Sequence, residues 1–312
     1  MKNLYKIFIG GFVACLLLVV ADWAVGSWSE KMYHKSKYGI YHRQLYCLEQ
    51  SNDEILIMGS SRAAHHYVPQ IFEDSLGMSC YNAGSDGQCI YYHYTLLASM
   101  LERGARPKAI IYEVMDLDAV VSKSETFTLD AAIERLTPHY GEFSVINDLF
   151  KHKDWKEKIK LMSHTFKYNS KLVQTIKCNY LPEKEDKGYE ALNGTIKLVK
   201  KKEIKDVDAN MPNTEIENLK LIYISKLIEL CRNNHIFLIF AISPTFSGKI
   251  NFGAITIESL ALKNNIPFVR FNDTEKFKDH TYFYDRLHLN DKGARLFSQM
   301  FSHYLKSKYY IN

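Results

Sequence analysis

The sequence lacks the cysteine spacing of a metal centre. Its six cysteines, Cys15, Cys47, Cys80, Cys89, Cys178 and Cys231, contain no Cys-x-x-Cys pair, which argues against a structural zinc site. Cys15 falls in an apolar N-terminal run, so five cysteines remain and at least one thiol stays free. Charge of one sign is also scarce, with 40 basic residues against 35 acidic ones, a net +5 and a pI of 8.6. So weak and dispersed a balance, with no recognition motif beside it, argues against a nucleic-acid partner. The chain has no internal repeat and no low-complexity linker. With 46% apolar and 24% charged residues over 312 positions, it is expected to fold as one core-bearing domain plus an appendage.

The appendage is N-terminal. Residues 7–25 read IFIGGFVACLLLVVADWAV, about enough to cross a ~30 Å hydrocarbon layer at ~1.5 Å per residue. Only Asp22 interrupts the run, and Trp23 and Trp28 lie where interfacial aromatics sit. Residues 1–30 are therefore read as a membrane anchor and 31–312 as the folded domain. Lys2 and Lys6 ahead of the run place the short tail in the cytoplasm and the domain outside it, although Lys31, Lys35 and Lys37 pull the other way. A cleaved signal peptide, processed near Ala24 or Gly26, is the rival reading, and a buried core helix is a weaker one.

From residue 54 onward, short apolar runs alternate with helix-period segments, the pattern of an α/β three-layer sandwich around a mostly parallel sheet. Strands are expected at 54–58, 79–82, 109–114, 236–242 and 267–271. Helices are expected at 69–76, 91–103, 215–233, 252–264 and 291–306. Asn290 is placed to cap the last helix. Between about 119 and 214 the alternation lapses into an insertion rich in lysine and tyrosine, which begins with a helix at 129–136 that stops before Pro138. Lys200, Lys201 and Lys202 read as a solvated surface, or more sharply as a lid or a contact for an anionic polymer.

Two segments carry chemistry. Ile55 to Gly59 is a buried-strand pattern, and Ser60, Ser61 and Arg62 follow at its carboxyl end, where doubly wound sheets bind ligands. These serines taken alone could merely cap a helix. Near the other end, Asp285 precedes His288 by three residues on a loop entering a helix. That spacing lets the carboxylate hold one ring nitrogen while the other faces a hydroxyl. A serine needs such a base in order to act as a nucleophile.

This ordered combination resembles the SGNH superfamily of GDSL-like hydrolases. Their first block, Gly-Asp-Ser, corresponds to Gly59-Ser60-Ser61, which maps the nucleophile to Ser61. Their last block, Asp-x-x-His before a helix, corresponds to Asp285 and His288. The second block corresponds to Asn82-Ala83-Gly84-Ser85-Asp86-Gly87, with Gly87 as the oxyanion glycine and Gly84 as the alternative. The third block departs from the pattern, because the segment from Glu113 to Asp118 offers no asparagine to donate to an oxyanion. An ionised Asp116 or Asp118 could only repel one.

The resemblance implies a flavodoxin-like fold with a five-stranded sheet. It implies a serine-dependent ester hydrolase or O-acyltransferase that works through an acyl-enzyme on an extracytoplasmic glycan or envelope polymer. The catalytic residues would be Ser61, Asp285 and His288. The oxyanion donors would be the backbone of Ser61 and Gly87, with Arg62, Asn82 and Gly84 as further substrate or oxyanion contacts. No cofactor or metal is expected, and the partners implied are the acylated polymer, the membrane and, as one candidate, a membrane-bound acyl-donor protein. The alternative is a degenerate SGNH domain that binds or assembles polymer without turnover. His65, His66, His93 and Cys89 lack metal-ligand spacing. Tyr91, Tyr92 and Tyr94 suit either sugar stacking or helix packing, the commoner use.

Overall fold

The computed structural model describes residues 2–169, 171–182, 185–197 and 215–309. Lys200, Lys201 and Lys202 lie outside these described residues. Two compact units divide the chain, one built from residues 1–45 and 135–183 and the other from 46–134 and 184–312.

The larger unit holds the expected sheet. Its strands are β1 (Ile55–Gly59), β2 (Cys80–Asn82), β3 (Ala109–Glu113), β6 (Phe237–Ile242) and β7 (Phe268–Arg270), with the short hairpin β4 (Glu185–Asp186) and β5 (Tyr189–Glu190) between β3 and β6 in sequence. The sheet order is β2-β1-β3-β6-β7 and every pair in it is parallel. Both β1 and β3 are buried along their whole length, which is why they read as continuous apolar runs rather than alternating ones. From β1 the chain crosses first to β2 on one side and then to β3 on the other. The carboxyl ends of β1 and β3 therefore form a topological switch point, the crevice where such sheets bind ligands. Gly59 ends β1 at φ +134°, and a Cβ there would lie 2.6 Å from the Glu113 carbonyl, so the approach of β1 to β3 requires glycine.

The helices Pro69–Leu76 and Asp291–Tyr309 pack over one face of the sheet, with Tyr67, Phe72, Phe297 and Phe301 interlocking at the centre of the core. On the helix Ile90–Arg103, Tyr91 and Tyr94 pack edge-on against Tyr223 of the helix Asn218–Asn233, so these tyrosines serve helix packing. The helix expected at 129–136 forms as Leu129–Leu136. The hairpin β4–β5 had no strand signature, since two-residue strands are too short for a period to show. All six cysteines are free thiols.

The smaller unit contains the helix Lys2–His34, whose most apolar 18-residue stretch has a mean hydropathy of 2.4, and the helix is long and apolar enough to cross a membrane by length and composition. The helices Gly39–Leu45, His164–Asn169 and Leu172–Tyr180 gather around its C-terminal half, burying Tyr33, Tyr41, Leu45, Tyr168 and Cys178.

Candidate active site

Ser61 opens the helix Ser61–His66 directly after β1. Its Oγ lies 2.8 Å from His288 Nε2, and His288 Nδ1 lies 2.9 Å and 3.1 Å from the two carboxylate oxygens of Asp285. The Asp285 side chain also accepts the backbone N–H groups of Leu287 and His288, each at 2.8 Å, closing the loop into a tight turn. These contacts fix the tautomer: Nδ1 donates to Asp285, which leaves Nε2 to accept from the serine hydroxyl. Burial pushes the Asp285 pKa up, but the bonds from His288 and the turn outweigh it and hold the carboxyl below its ordinary value. Asn290 caps the following helix by accepting the Gly293 N–H at 3.0 Å, while its amide donates to Gly194 and Thr281 carbonyls at 2.8 Å. Ser60, one residue before the serine of this triad, is buried.

The neighbouring Arg62 turns inward. Its Nε lies 2.9 Å from Glu113 Oε1 at the end of β3, and its Nη2 donates to the Val114 carbonyl. Glu113 is wholly buried and ringed by donors: the Tyr67 hydroxyl, the Ser243 backbone N–H at 3.0 Å and the Ser243 hydroxyl at 2.8 Å. Burial nonetheless raises its pKa against the pull of Arg62, Tyr67 and Ser243. Ser243 in turn accepts from His66 Nδ1 at 2.7 Å, and His66 Nε2 accepts the Leu289 N–H at 2.9 Å. His66 is thus neutral, since burial first, then the charges of His288, Arg62 and His65, push its pKa well down. An unbroken chain of bonds therefore runs from Arg62, beside the serine, to Leu289, beside the histidine.

Several expected contacts have other duties. Asn82 is fully buried, with its amide donating to the Ala63 and Tyr67 carbonyls at 2.7 and 2.9 Å and its oxygen accepting the Gly84 N–H at 2.9 Å. It pins the serine helix and does not face a substrate. Gly84 has spent its N–H there, and a Cβ on it would lie 2.4 Å from the Ala64 nitrogen, so it is a packing glycine. Gly87, at φ +71°, keeps its N–H outside the hydrogen bonds of the described residues. The acids after β3 are structural: Asp118 accepts from Ile90 N, Tyr112 Oη and Met115 N, and Asp116 accepts the Gly253 N–H at 2.6 Å. Burial lifts the Asp118 pKa to about 6.

The histidines and the cysteine weighed as metal ligands do not assemble as a set. Cys89 is buried and its thiol is pushed up to about 12. His65 instead meets Asp86 at 3.3 Å and Glu190 Oε2 at 3.9 Å through Nε2, while its Nδ1 bonds the Glu190 carbonyl at 2.9 Å. Among the described residues this is the one His-and-carboxylate group compact enough to hold a cation. Burial opposes a charge on His65, yet Asp86 and the Glu190 carbonyl raise its pKa overall. Its ring stands edge-on to His288, with centroids 5.7 Å apart.

The site thus has the form of a Ser–His–Asp constellation on a doubly wound parallel sheet. No protein-family model matches the chain, and no curated protein matches it. Among solved structures it is similar to a protein described as lipolytic and of the G-D-S-L family from Desulfitobacterium hafniense DCB-2, with 11% identity over 80% of this chain and 98% of that one and a TM-score of 0.39. It is also similar to a GDSL-like lipase from Bacteroides thetaiotaomicron, with 11% identity over 81% and 87% of the two chains and a TM-score of 0.37. Likenesses this distant assign no activity.

Proposed function

We propose that the protein is a serine esterase or O-acyltransferase working through an acyl-enzyme on Ser61. The observation that carries this is the pair of contacts at His288, 2.8 Å to Ser61 Oγ and 2.9 Å to Asp285. Ser61 Oγ attacks the ester carbonyl while its proton passes to His288 Nε2. The imidazolium is held by Asp285, and the proton then goes to the departing alcohol oxygen. Water, or the hydroxyl of an acceptor, attacks the acyl-enzyme, gives its proton to Nε2 and releases Ser61. The oxyanion would take the N–H groups of Ser61 and Gly87. With the third donor absent, a loss of about 10²–10³ in rate relative to a complete hole is expected. Arg62 is committed to Glu113 and Val114, so it acts on the oxyanion through its field rather than by contact.

The substrate class this reading favours is an acylated envelope glycan or polymer outside the cytoplasm. Its support is the apolar N-terminal helix together with the resemblance of the blocks around Ser61 and His288. A non-catalytic polymer-binding role is the second reading, favoured by the structural use of Asp116 and Asp118 where a donor would stand. Stopped-flow hydrolysis of a chromogenic acetyl ester separates the two. A burst of about one product per chain, lost in Ser61→Ala, supports the enzyme, and no turnover above the Ser61→Ala background refutes it.

A further inference from the structure

Asp22, a charge inside an apolar helix, is the N-terminal cap of another segment. It accepts from Ser163 Oγ at 2.6 Å, His164 N at 2.8 Å and Thr165 N at 3.2 Å, and its carbonyl accepts the Thr165 hydroxyl at 2.9 Å. The helix His164–Asn169 then runs alongside the N-terminal helix in the same direction. A Cβ on Gly26 would strike the His164 ring at 2.5 Å, Glu30 meets His164 at 3.4 Å, and the Tyr168 and Tyr33 rings meet at a tilt with centroids 5.7 Å apart. Ser163, into which the preceding residues lead, therefore lies level with Asp22, where the apolar run of the N-terminal helix ends.

Those residues form the helix Trp155–Lys160 and its exit. Trp155, Ile159 and Met162 recur at the four- and three-residue spacing of one helical face, and they are 67%, 53% and 84% exposed. Around them Lys151, Lys156, Lys158 and Lys160 are also exposed. An apolar stripe bordered by lysines, level with the end of an apolar helix, has the composition of a segment that lies in a bilayer interface. There the apolar face sinks between lipids and the ammonium groups stay among the headgroups.

Resting on the reading that the N-terminal helix spans a membrane, we infer that residues 155–162 form an interfacial collar that lies in the bilayer surface beside that helix. The occupant of the exposed stripe is phospholipid. The function of Asp22 follows: it bolts the collar to the anchor at the depth where the bilayer ends. The exposed Tyr180 is a control, because Asn179 donates to the Met32 carbonyl and the Cys178 carbonyl accepts from Lys37 and Tyr38. Those contacts place Tyr180 beside residues 32–38, about 15 Å or more along the helix from Asp22.

Tryptophan quenching tests this on the full chain in phosphatidylcholine–phosphatidylglycerol vesicles with acyl-chain-brominated lipids. With Trp23→Phe and Trp28→Phe, Trp155 is the sole tryptophan of the original three. Its emission should fall at least about twofold relative to unbrominated vesicles. The same chain carrying Trp155→Phe and Tyr180→Trp should be unquenched. A chain that floats with the vesicles but shows no quenching at Trp155, or equal quenching at both positions, overturns the collar and leaves the anchor standing. A chain that does not float overturns the anchor, and the collar with it.

Discussion

Two chains of serine, histidine and carboxylate run side by side in this molecule and do different work. In one, Ser61, His288 and Asp285 meet at a half-open crevice. In the other, Ser243, His66 and Glu113 are buried, and the two histidine rings stand edge-on at 6.1 Å. The order of connection separates them. His288 lies between serine and acid, so its free nitrogen can take a proton from a hydroxyl. In the buried chain Ser243 lies between histidine and acid, and both of the His66 nitrogens are occupied. Residue type therefore does not make a site; direction of donation and access to solvent do.

The comparison breaks most visibly at the serines. Ser61→Ala should lower ester turnover by at least about 10³-fold with little change in stability, and Asp285→Asn by about 10²–10⁴-fold, because the histidine tautomer is lost. Ser243→Ala should leave turnover within about tenfold of the natural chain. The next effect is on stability. Glu113→Gln leaves the Arg62 guanidinium buried without its counter-charge, at a cost of about 3–5 kcal/mol measured by chemical unfolding in detergent.

His66→Gln strands the Leu289 N–H or the Ser243 hydroxyl, costs about 1–3 kcal/mol, and should lower kcat more than it raises KM, because it loosens the loop that carries His288. An unchanged kcat would remove the buried chain from any positioning role. The smallest effects are in the pH dependence of stability, where the two carboxylates should have opposite signs. Asp285, whose folded pKa is lowered from 3.8, contributes stability that is complete above that value and is lost as pH falls through the folded one. Glu113, whose folded pKa is raised from 4.5, gives stability that falls as pH rises from 4.5 through the folded value. Unfolding profiles of Asp285→Asn and Glu113→Gln should each lose one of these slopes.

The open chain was legible in the sequence and the buried one was not. Ser61 announces itself by a continuous apolar strand that ends in glycine and serine, and His288 by an acid three residues earlier, because both signals are local. Glu113 forms its ion pair across 51 positions with Arg62, and His66 reaches Ser243 across 177, so only the parallel pairing of β1, β3 and β6 brings them together. The one available hint was an acid closing a strand that is otherwise apolar. Asn82 and Gly84 show the converse limit: spacing marked them, but spacing does not say where an amide points, and both turn toward the serine helix. Glu190 had no signal, since its hairpin is two residues per strand.

The central claim is that Ser61 is activated by His288. Treating the full chain with a fluorophosphonate and locating the adduct by peptide mass spectrometry tests it most directly. A single adduct on Ser61, formed at least about 10²-fold more slowly in His288→Ala, with Ser60 and Ser243 unmodified, is the predicted result. An adduct on another serine, no adduct, or equal labelling without His288 would contradict the account.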